Sequence, residues 1–209
     1  MNSQLSQIEE VFIFYSLEAE IKFFKQKLKQ NQTRIISIAG QKILSGSLGD
    51  LKVNLVKLGV GAKRIAPFLN ELKKQRDLSL IILTGFAGGA DPCFKIGQVI
   101  IPRKLINIDN QEIVLPLENY LTSSELASYS PEAILMTVSR IYHQNDKKEL
   151  YHDYSKKRVI DMESGYIGTW ARKNKVDLIV VKAISDAYNT RLPSTPFLKQ
   201  FFGQNFKQK

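Results

Sequence analysis

The sequence predicts an α/β fold, a central sheet with helices packed on both sides, from three observations. Apolar runs of strand length alternate with amphipathic helical stretches along the chain. Residues 78–83 form a continuous apolar run, the mark of a strand buried on both faces. No internal repeat or low-complexity linker interrupts the 209 residues. One domain over 1–209 is therefore expected, of a size that buries about 70% of its unfolded surface.

In chain order, residues 11–16 read as a short apolar strand. An amphipathic helix follows over 18–30, with Ile21, Phe24 and Leu28 on one face. Residues 35–39 and 52–58 read as strands, the second alternating between Val53 and Leu55 on one side and Asn54 and Val56 on the other. Gly59-Val60-Gly61 ends that strand, and a helix is expected over 62–75. The run over 78–83 closes in Thr84-Gly85-Phe86-Ala87-Gly88-Gly89, which reads as a tight turn supplied by glycines. Residues 97–102 and 103–108 look like paired strands, joined to 112–115 through the turn Asp109-Asn110. Further strands are expected over 134–138, 159–162 and 178–184, with helices over 146–154 and 164–174. The polar stretch from Pro193, which carries Pro196, predicts a short terminal helix.

Composition narrows the functional classes. The first ten residues are polar and acidic, unlike a secretory signal, and no segment approaches the roughly 18 apolar residues of a membrane span. One cysteine, Cys93, makes no internal disulfide, and two histidines build no zinc-type cluster, so neither a metal nor another cofactor is expected. A reducing cytoplasm fits this composition. The formal charge is +10, from 30 Lys+Arg against 20 Asp+Glu. It is spread over Lys22, Lys25, Lys27 and Lys29, over Lys73, Lys74 and Arg76, and most densely over Lys147, Lys148, Lys156, Lys157 and Arg158. Without interleaved aromatics this reads as solvated faces rather than a nucleic-acid surface.

Ligands in such sheets collect at the carboxyl ends of strands. Four segments there carry chemistry: Ser16-Leu17-Glu18-Ala19-Glu20, the glycine stretch at 85–89, Asp161-Met162-Glu163-Ser164, and Ala183-Ile184-Ser185-Asp186. Three of them bring carboxylates straight after apolar strands, which suits glycosyl transfer, where one acid protonates a leaving group and another activates water. Each segment also has a plain structural account. Glu18, Glu20 and Glu163 sit in or near a first helical turn, where an acid favours the dipole, and Asp186 suits a cap or turn. The glycine stretch lacks both the G-x-G-x-x-G spacing and a following Lys-Ser/Thr, so it is not a nucleotide phosphate loop.

Together and in this order, the segments resemble the nucleoside phosphorylase/nucleosidase superfamily. The similarity spans residues 11–186 and is greatest toward the methylthioadenosine/S-adenosylhomocysteine nucleosidase branch and the short nucleosidase-like proteins associated with hopanoid synthesis. Beyond the four segments it rests on Leu58-Gly59-Val60-Gly61, Lys95-Ile96-Gly97-Gln98-Val99 and Leu135-Met136-Thr137-Val138-Ser139-Arg140. The pairing of Asp161-Met162-Glu163-Ser164 with Ala183-Ile184-Ser185-Asp186 is its most specific part. The resemblance implies a three-layer αβα domain with a central mixed sheet, phosphorylase/hydrolase-like, that cleaves the N-glycosidic bond of a purine nucleoside.

By resemblance, Asp186 protonates the purine near N7 and Ser185 orients it. A free Asp has a pKa near ~3.9, so that acid must be raised by burial or by the substrate. Glu163 anchors the ribose hydroxyls, Met162 packs on the sugar, and Glu20 rather than Glu18 holds the attacking water. Phe86, Ala87, Gly88 and Tyr142 complete the substrate-binding set, with Phe86 and Tyr142 as base-stacking candidates. Water is expected over phosphate as nucleophile. Phosphorylases of the superfamily carry an arginine three positions before a serine around the glycine stretch, where this chain has Leu83 and Phe86, and Glu18 and Glu20 occupy a loop that bears arginine there.

Two departures bear on substrate identity. Phe86 replaces a small residue or serine, and the chain ends soon after Asp186, where the family has a long helix. The middle region, 106–130, is short as well, and in oligomeric relatives it helps form the subunit interface and the 5′-side pocket; a homodimer remains the expectation. The alternatives are a phosphate-dependent phosphorylase, an inactive nucleoside-binding relative, and a nucleic-acid binder driven by charge. The 5′ substituent stays open among methylthio, homocysteinyl and a hopane-type lipid, the last of which would suit a peripheral membrane contact.

Overall fold

The computed structural model describes residues 8–30, 32–59, 61–62, 64–129, 132–151 and 157–193. The elements are β1 Glu10–Tyr15, α1 Glu18–Lys29, β2 Arg34–Ile38, β3 Gln41–Leu48, β4 Leu51–Lys57, α2 Ile65–Gln75, β5 Leu80–Gly89, β6 Val99–Ile100, β7 Lys104–Ile106, β8 Glu112–Val114, α3 Ser123–Ala127, β9 Ile134–Thr137, α4 Gln144–Tyr151, β10 Arg158–Asp161, α5 Ser164–Asn174 and β11 Asp177–Asp186. The expected terminal helix beyond 193, with Pro196, lies outside the described residues, as do Val60, Lys156 and the end of the helix expected over 146–154.

The strands form one mixed sheet in the order β2-β3-β4-β1-β5-β10-β9-β7-β8, with β11 on β5 and β6 on β11. Helices cover both faces. Val11, Val53 and Gly46 share one face through their register, and a Cβ on Gly46 would lie 3.0 Å from the side chain of Leu28 in α1. Phe12, Ile81 and Leu178 share the other. There Phe14 meets Phe68 of α2 edge to face, with ring centroids 6.3 Å apart, and α5 packs through Gly168 on Leu105, Ile113 and Leu178. Trp170 Nε1 donates to Asn70 Oδ1 at 2.7 Å, tying α5 to α2. Among the described residues no helix is long and apolar enough to cross a membrane.

Three readings of the sequence need correction, while the alternation of β4 holds, with both faces buried, Val53 and Leu55 on one and Asn54 and Val56 on the other. Residues 41–48, unassigned by pattern, form β3, in which Ile43 and Ser45 are buried and Gly46 lies under Leu28. Residues 97–102 do not pair with 103–108, since β6 pairs with β11 and β7 pairs with β8 and β9. Finally, Thr84 to Gly89 is not a turn. It is the second half of β5, which keeps its register with β11 from Leu80 to Ala87, after which a bulge at Ser185 sets Asp186 opposite Gly88.

That last correction creates the cavity. On its other edge, β5 pairs in parallel with β1 only at Ile81–Leu83, and antiparallel with β10 only at Gly88–Gly89. Between those points the two neighbouring strands diverge. Strand divergence at the carboxyl ends of a sheet is where an open α/β fold makes a crevice.

Candidate active site

A cavity of about 230 Å³ opens at that divergence. All nine residues singled out in the sequence line it: Glu20 from the start of α1, Phe86, Ala87 and Gly88 from β5, Tyr142 from the segment before α4, Met162 and Glu163 from the β10–α5 junction, and Ser185 and Asp186 from the end of β11. Ser16, Leu17, Val138, Arg140, Ile141, Ile160, Asp161 and Leu192 complete the wall. Glu18 is excluded from it. It sits at the surface with Lys25 at 3.0 Å and Lys57 at 3.3 Å.

Two glycines of β5 are the slots into which two of the acids fit. A Cβ on Gly85 would lie 2.9 Å from Glu20 Oε1, and a Cβ on Gly88 would lie 3.0 Å from Asp186 Oδ2. At Gly85 that is closer than real Cβ atoms approach, and at Gly88 the carboxylate would have to give by a few tenths of an ångström, so glycine at both positions leaves room for the acids beside them. Glu20 is then fixed by backbone alone. Its Oε2 accepts the N–H groups of Ser16 (2.8 Å) and Leu17 (2.9 Å), and its Oε1 that of Phe86 (3.1 Å). The first two are orphan donors at the start of α1, which an acid three residues into a helix is suited to satisfy.

Asp186 has side-chain partners instead. Ser185 Oγ donates to its Oδ1 at 2.6 Å, and Lys147 Nζ is in direct ion-pair contact with its Oδ2. Lys147 is fully buried and also donates to the carbonyl of Ala187 at 3.0 Å. This corrects one expectation. The basic stretch at 147–158 is not uniformly a solvated face: Lys148 and Lys157 are exposed, whereas Lys147 points inward and Arg158 is half-buried against the carbonyl of Leu150. Asp186, expected with Ser185 as its partner, is also half of an ion pair with Lys147.

Glu163 caps the junction between β10 and α5. Its Oε1 accepts the N–H of Gly61 at 2.9 Å, and its Oε2 lies 3.8 Å from Lys182 Nζ. Burial pushes its pKa up to about 7, against the pull of Lys182 and with the help of the Asp161 charge. Lys182 is itself buried. Burial pulls its pKa down, but Asp161 and Glu163 outweigh that and hold it above the ordinary lysine value. Asp161 takes Lys182 at 3.0 Å, the Thr137 hydroxyl at 3.0 Å and the Ser164 N–H at 3.0 Å, so one carboxylate fixes β9, the start of α5 and the lysine.

The aromatic candidates differ. Phe86 is partly exposed at the cavity mouth. Tyr142 carries the guanidinium of Arg140 over its ring at 5.1 Å, and Arg140 is held by Asp146 at 3.0 Å. Met162 belongs to a small apolar cluster with Ala90, Val138, Ile160 and Leu150.

Lys147, Lys182 and Asp161 are the site residues that sequence reasoning passed over. Lys182 had a visible signal, a charge inside an otherwise apolar strand. Lys147 had a weaker one, since it shares a helical face with Leu150 and Tyr151.

Comparison with known proteins gives one family. The family model described as the phosphorylase superfamily matches residues 10–208. A 5′-methylthioadenosine/S-adenosylhomocysteine nucleosidase of Buchnera aphidicola subsp. Schizaphis graminum is 27% identical over 195 residues, 83% of this chain and 82% of that one. Among solved structures, the Helicobacter pylori nucleosidase of the same name, crystallised with butyl-thio-DADMe-Immucillin-A, superposes with a TM-score of 0.74 at 14% identity, covering 88% of this chain and 87% of that one. Futalosine hydrolase of Helicobacter pylori strain 26695 gives the same score and identity, with the same coverage. At these identities the two structures are similar to this chain in fold.

Proposed function

This chain belongs to the phosphorylase superfamily, and within it we propose that it hydrolyses the N-glycosidic bond of an adenine-type purine nucleoside. The observation that carries the reading is the convergence of Asp186, Glu20 and Glu163 on one cavity from three separate strand ends. Glycosidic cleavage of a nucleoside needs a proton for the departing base, a hold on the sugar and a base for the incoming water.

In this reading Asp186 faces the imidazole edge of the purine, and Ser185 fixes the direction of its carboxylate. The base lies against Phe86 and Tyr142, over the Ala87 and Gly88 backbone. Glu163 accepts the ribose hydroxyls, and Met162 packs on the sugar. Glu20, held by three backbone donors, takes a proton from the water that attacks C1′. Glu20 and Glu163 beside the sugar stabilise the positive charge that develops on the ribose ring, and the Glu20 carboxylate disfavours phosphate there. Arg140, which lines the cavity, is engaged by Asp146. This supports water as the nucleophile. The names of the curated relatives, nucleosidases of methylthioadenosine and S-adenosylhomocysteine, support the adenine end of the substrate.

The reading extends to a homodimer and to a reducing cytoplasmic setting. The latter suits a chain whose single cysteine, Cys93, has no second cysteine to pair with. A hopane-type substituent is one candidate for the 5′ side, with methylthio and homocysteinyl as the others.

The test is chromatographic release of free adenine from methylthioadenosine and adenosine, with and without phosphate. Phosphate-independent adenine is expected. Release only with phosphate would make the chain a phosphorylase, and no release from either nucleoside would overturn the reading.

A further inference from the structure

The nucleosidase reading asks Asp186 for a proton, yet both of its carboxyl oxygens act as acceptors. Oδ1 takes the Ser185 hydroxyl at 2.6 Å, and Oδ2 takes the ammonium of Lys147. Two bonded donors therefore stand ready to supply the proton for the base to this carboxyl group. Of the two donors, a serine hydroxyl is a far weaker acid than an ammonium. Lys147 is also completed as an ammonium by its surroundings. Its three N–H bonds meet three acceptors: Asp186 Oδ2, the Ala187 carbonyl at 3.0 Å and the Asp186 carbonyl at 3.4 Å. It is fully buried behind the aspartate, away from the cavity mouth, and it does not line the cavity.

We propose that Lys147 stores the proton that Asp186 hands to the departing base, so that the acid of this site is the Lys147–Asp186 pair. The inference rests on the nucleosidase reading. As the C1′–N9 bond breaks, its electron pair goes to the purine. The carboxyl group of Asp186 passes one proton to N7 and receives one from Lys147 Nζ. The base leaves neutral, the pair is left as an amine beside a carboxylate, and the amine regains its proton from solvent after product departs. The attacking water gives its own proton to Glu20, so charge balances across the step. Lys147 never touches the substrate and is a positioning residue that also supplies a proton.

The arrangement exists because α4 turns one lysine inward. Among the described residues around it, Arg140 pairs with Asp146, His143 is half-buried and gives its backbone N–H to Asp146, and Arg158 of β10 donates to the Leu150 carbonyl. Tyr151 packs on Tyr188 with ring centroids 5.2 Å apart, and Lys148 and Glu149 face solvent.

The experiment compares the unaltered protein with Lys147→Met and Lys147→Gln, the glutamine variant guarding against failure of the apolar one to fold. Three quantities are read: the turnover rate on methylthioadenosine, the affinity for adenine by titration, and the pH profile of turnover. Turnover is expected to fall by about 100-fold or more, while adenine affinity stays within about threefold. In any variant with residual activity, the basic limb of the profile moves at least about one unit to lower pH, because the carboxyl group then carries the proton alone. Turnover within about fivefold of the unaltered protein overturns the inference, as does a loss of adenine binding in step with rate or a basic limb left in place. No adenine release from the unaltered protein is a different failure: it removes the nucleosidase reading, and this inference with it.

Discussion

The two ends of the cavity solve one problem in opposite ways. At one end Glu20 lies against Gly85, and at the other Asp186 lies against Gly88, each acid within about 3 Å of where a Cβ would stand on the same strand. Among the described residues Glu20 is held by three backbone N–H groups and makes no ion pair, the Lys182 charge acting on it only from a distance, whereas Asp186 is held by a hydroxyl and a buried ammonium. Backbone amides can orient a carboxylate but cannot give it a proton, which suits the accepting role proposed for Glu20. An ammonium can do both, which suits the donating role proposed for Asp186. The difference lies in the donors, not in the acids, and the proposed reaction uses it to run protons in opposite directions through two chemically similar side chains.

Breaking the donating end has the largest expected effect. Asp186→Asn keeps the shape and the Ser185 contact but removes the relay, and adenine release should fall by about 10³–10⁴-fold with ligand binding largely intact. Full activity by chromatography would remove Asp186 from the mechanism. Breaking the accepting end comes next. Glu20→Gln turns an acceptor of three N–H bonds into a group with an N–H₂ of its own facing at least one of them. Turnover should drop by about 10²-fold, a larger change than any rise in KM.

The glycines sharpen the comparison without touching either acid. Gly88→Ala and Gly85→Ala each push a carboxylate away from β5, and each should slow turnover roughly tenfold or more. Because the Glu20 carboxylate is clamped on three sides by main chain, Gly85→Ala should also lower the melting temperature more than Gly88→Ala does. Equal activity in the native protein and both variants would mean that the acids do not need these slots.

Glu163, which lies between the two ends in chemical role, gives the smallest effect and a pH signature. Its folded pKa of about 7 lies above the ordinary value of 4.5, burial being the main cause. Its contribution to stability is therefore fully present below about pH 4.5 and is lost as pH rises through about 7, a change on the order of 1–3 kcal/mol. Denaturant titrations from about pH 5 to 8 should show this decline, and Glu163→Gln should flatten it. The same ionisation makes it a better acceptor for ribose hydroxyls, so KM should fall several-fold from about pH 6 to 8 in the native protein and stay level in the glutamine variant.

Much of this molecule is legible in its sequence, because its information there is local. The run Leu80–Leu83 and the run Leu178–Val181 announce buried strands without any partner being known. The boundaries of α5 also follow from pattern, since its Ser164 start and its apolar face repeat at helical spacing. The nine cavity residues are likewise legible from strand ends carrying acids, together with the resemblance that orders them. Illegible residues are those whose meaning lies in a distant partner. Gly85 and Gly88 read as a turn because glycine is the usual turn signal, and nothing local reveals that each is a gap for a carboxylate. Residues 41–48 have too few apolar positions to read as a strand, because a helix side chain fills the space above Gly46.

The sequence by itself determined the α/β class, most element boundaries and the set of acids at the strand ends, since alternation and periodicity depend only on near neighbours along the chain. Tertiary structure alone decided which donors those acids face. Lys147 and Asp186 are 39 positions apart and Glu20 and Phe86 are 66 apart. Whether a lysine is a solvated charge or a buried partner depends on where α4 docks, because a buried ammonium is tolerable only where acceptors are already in place.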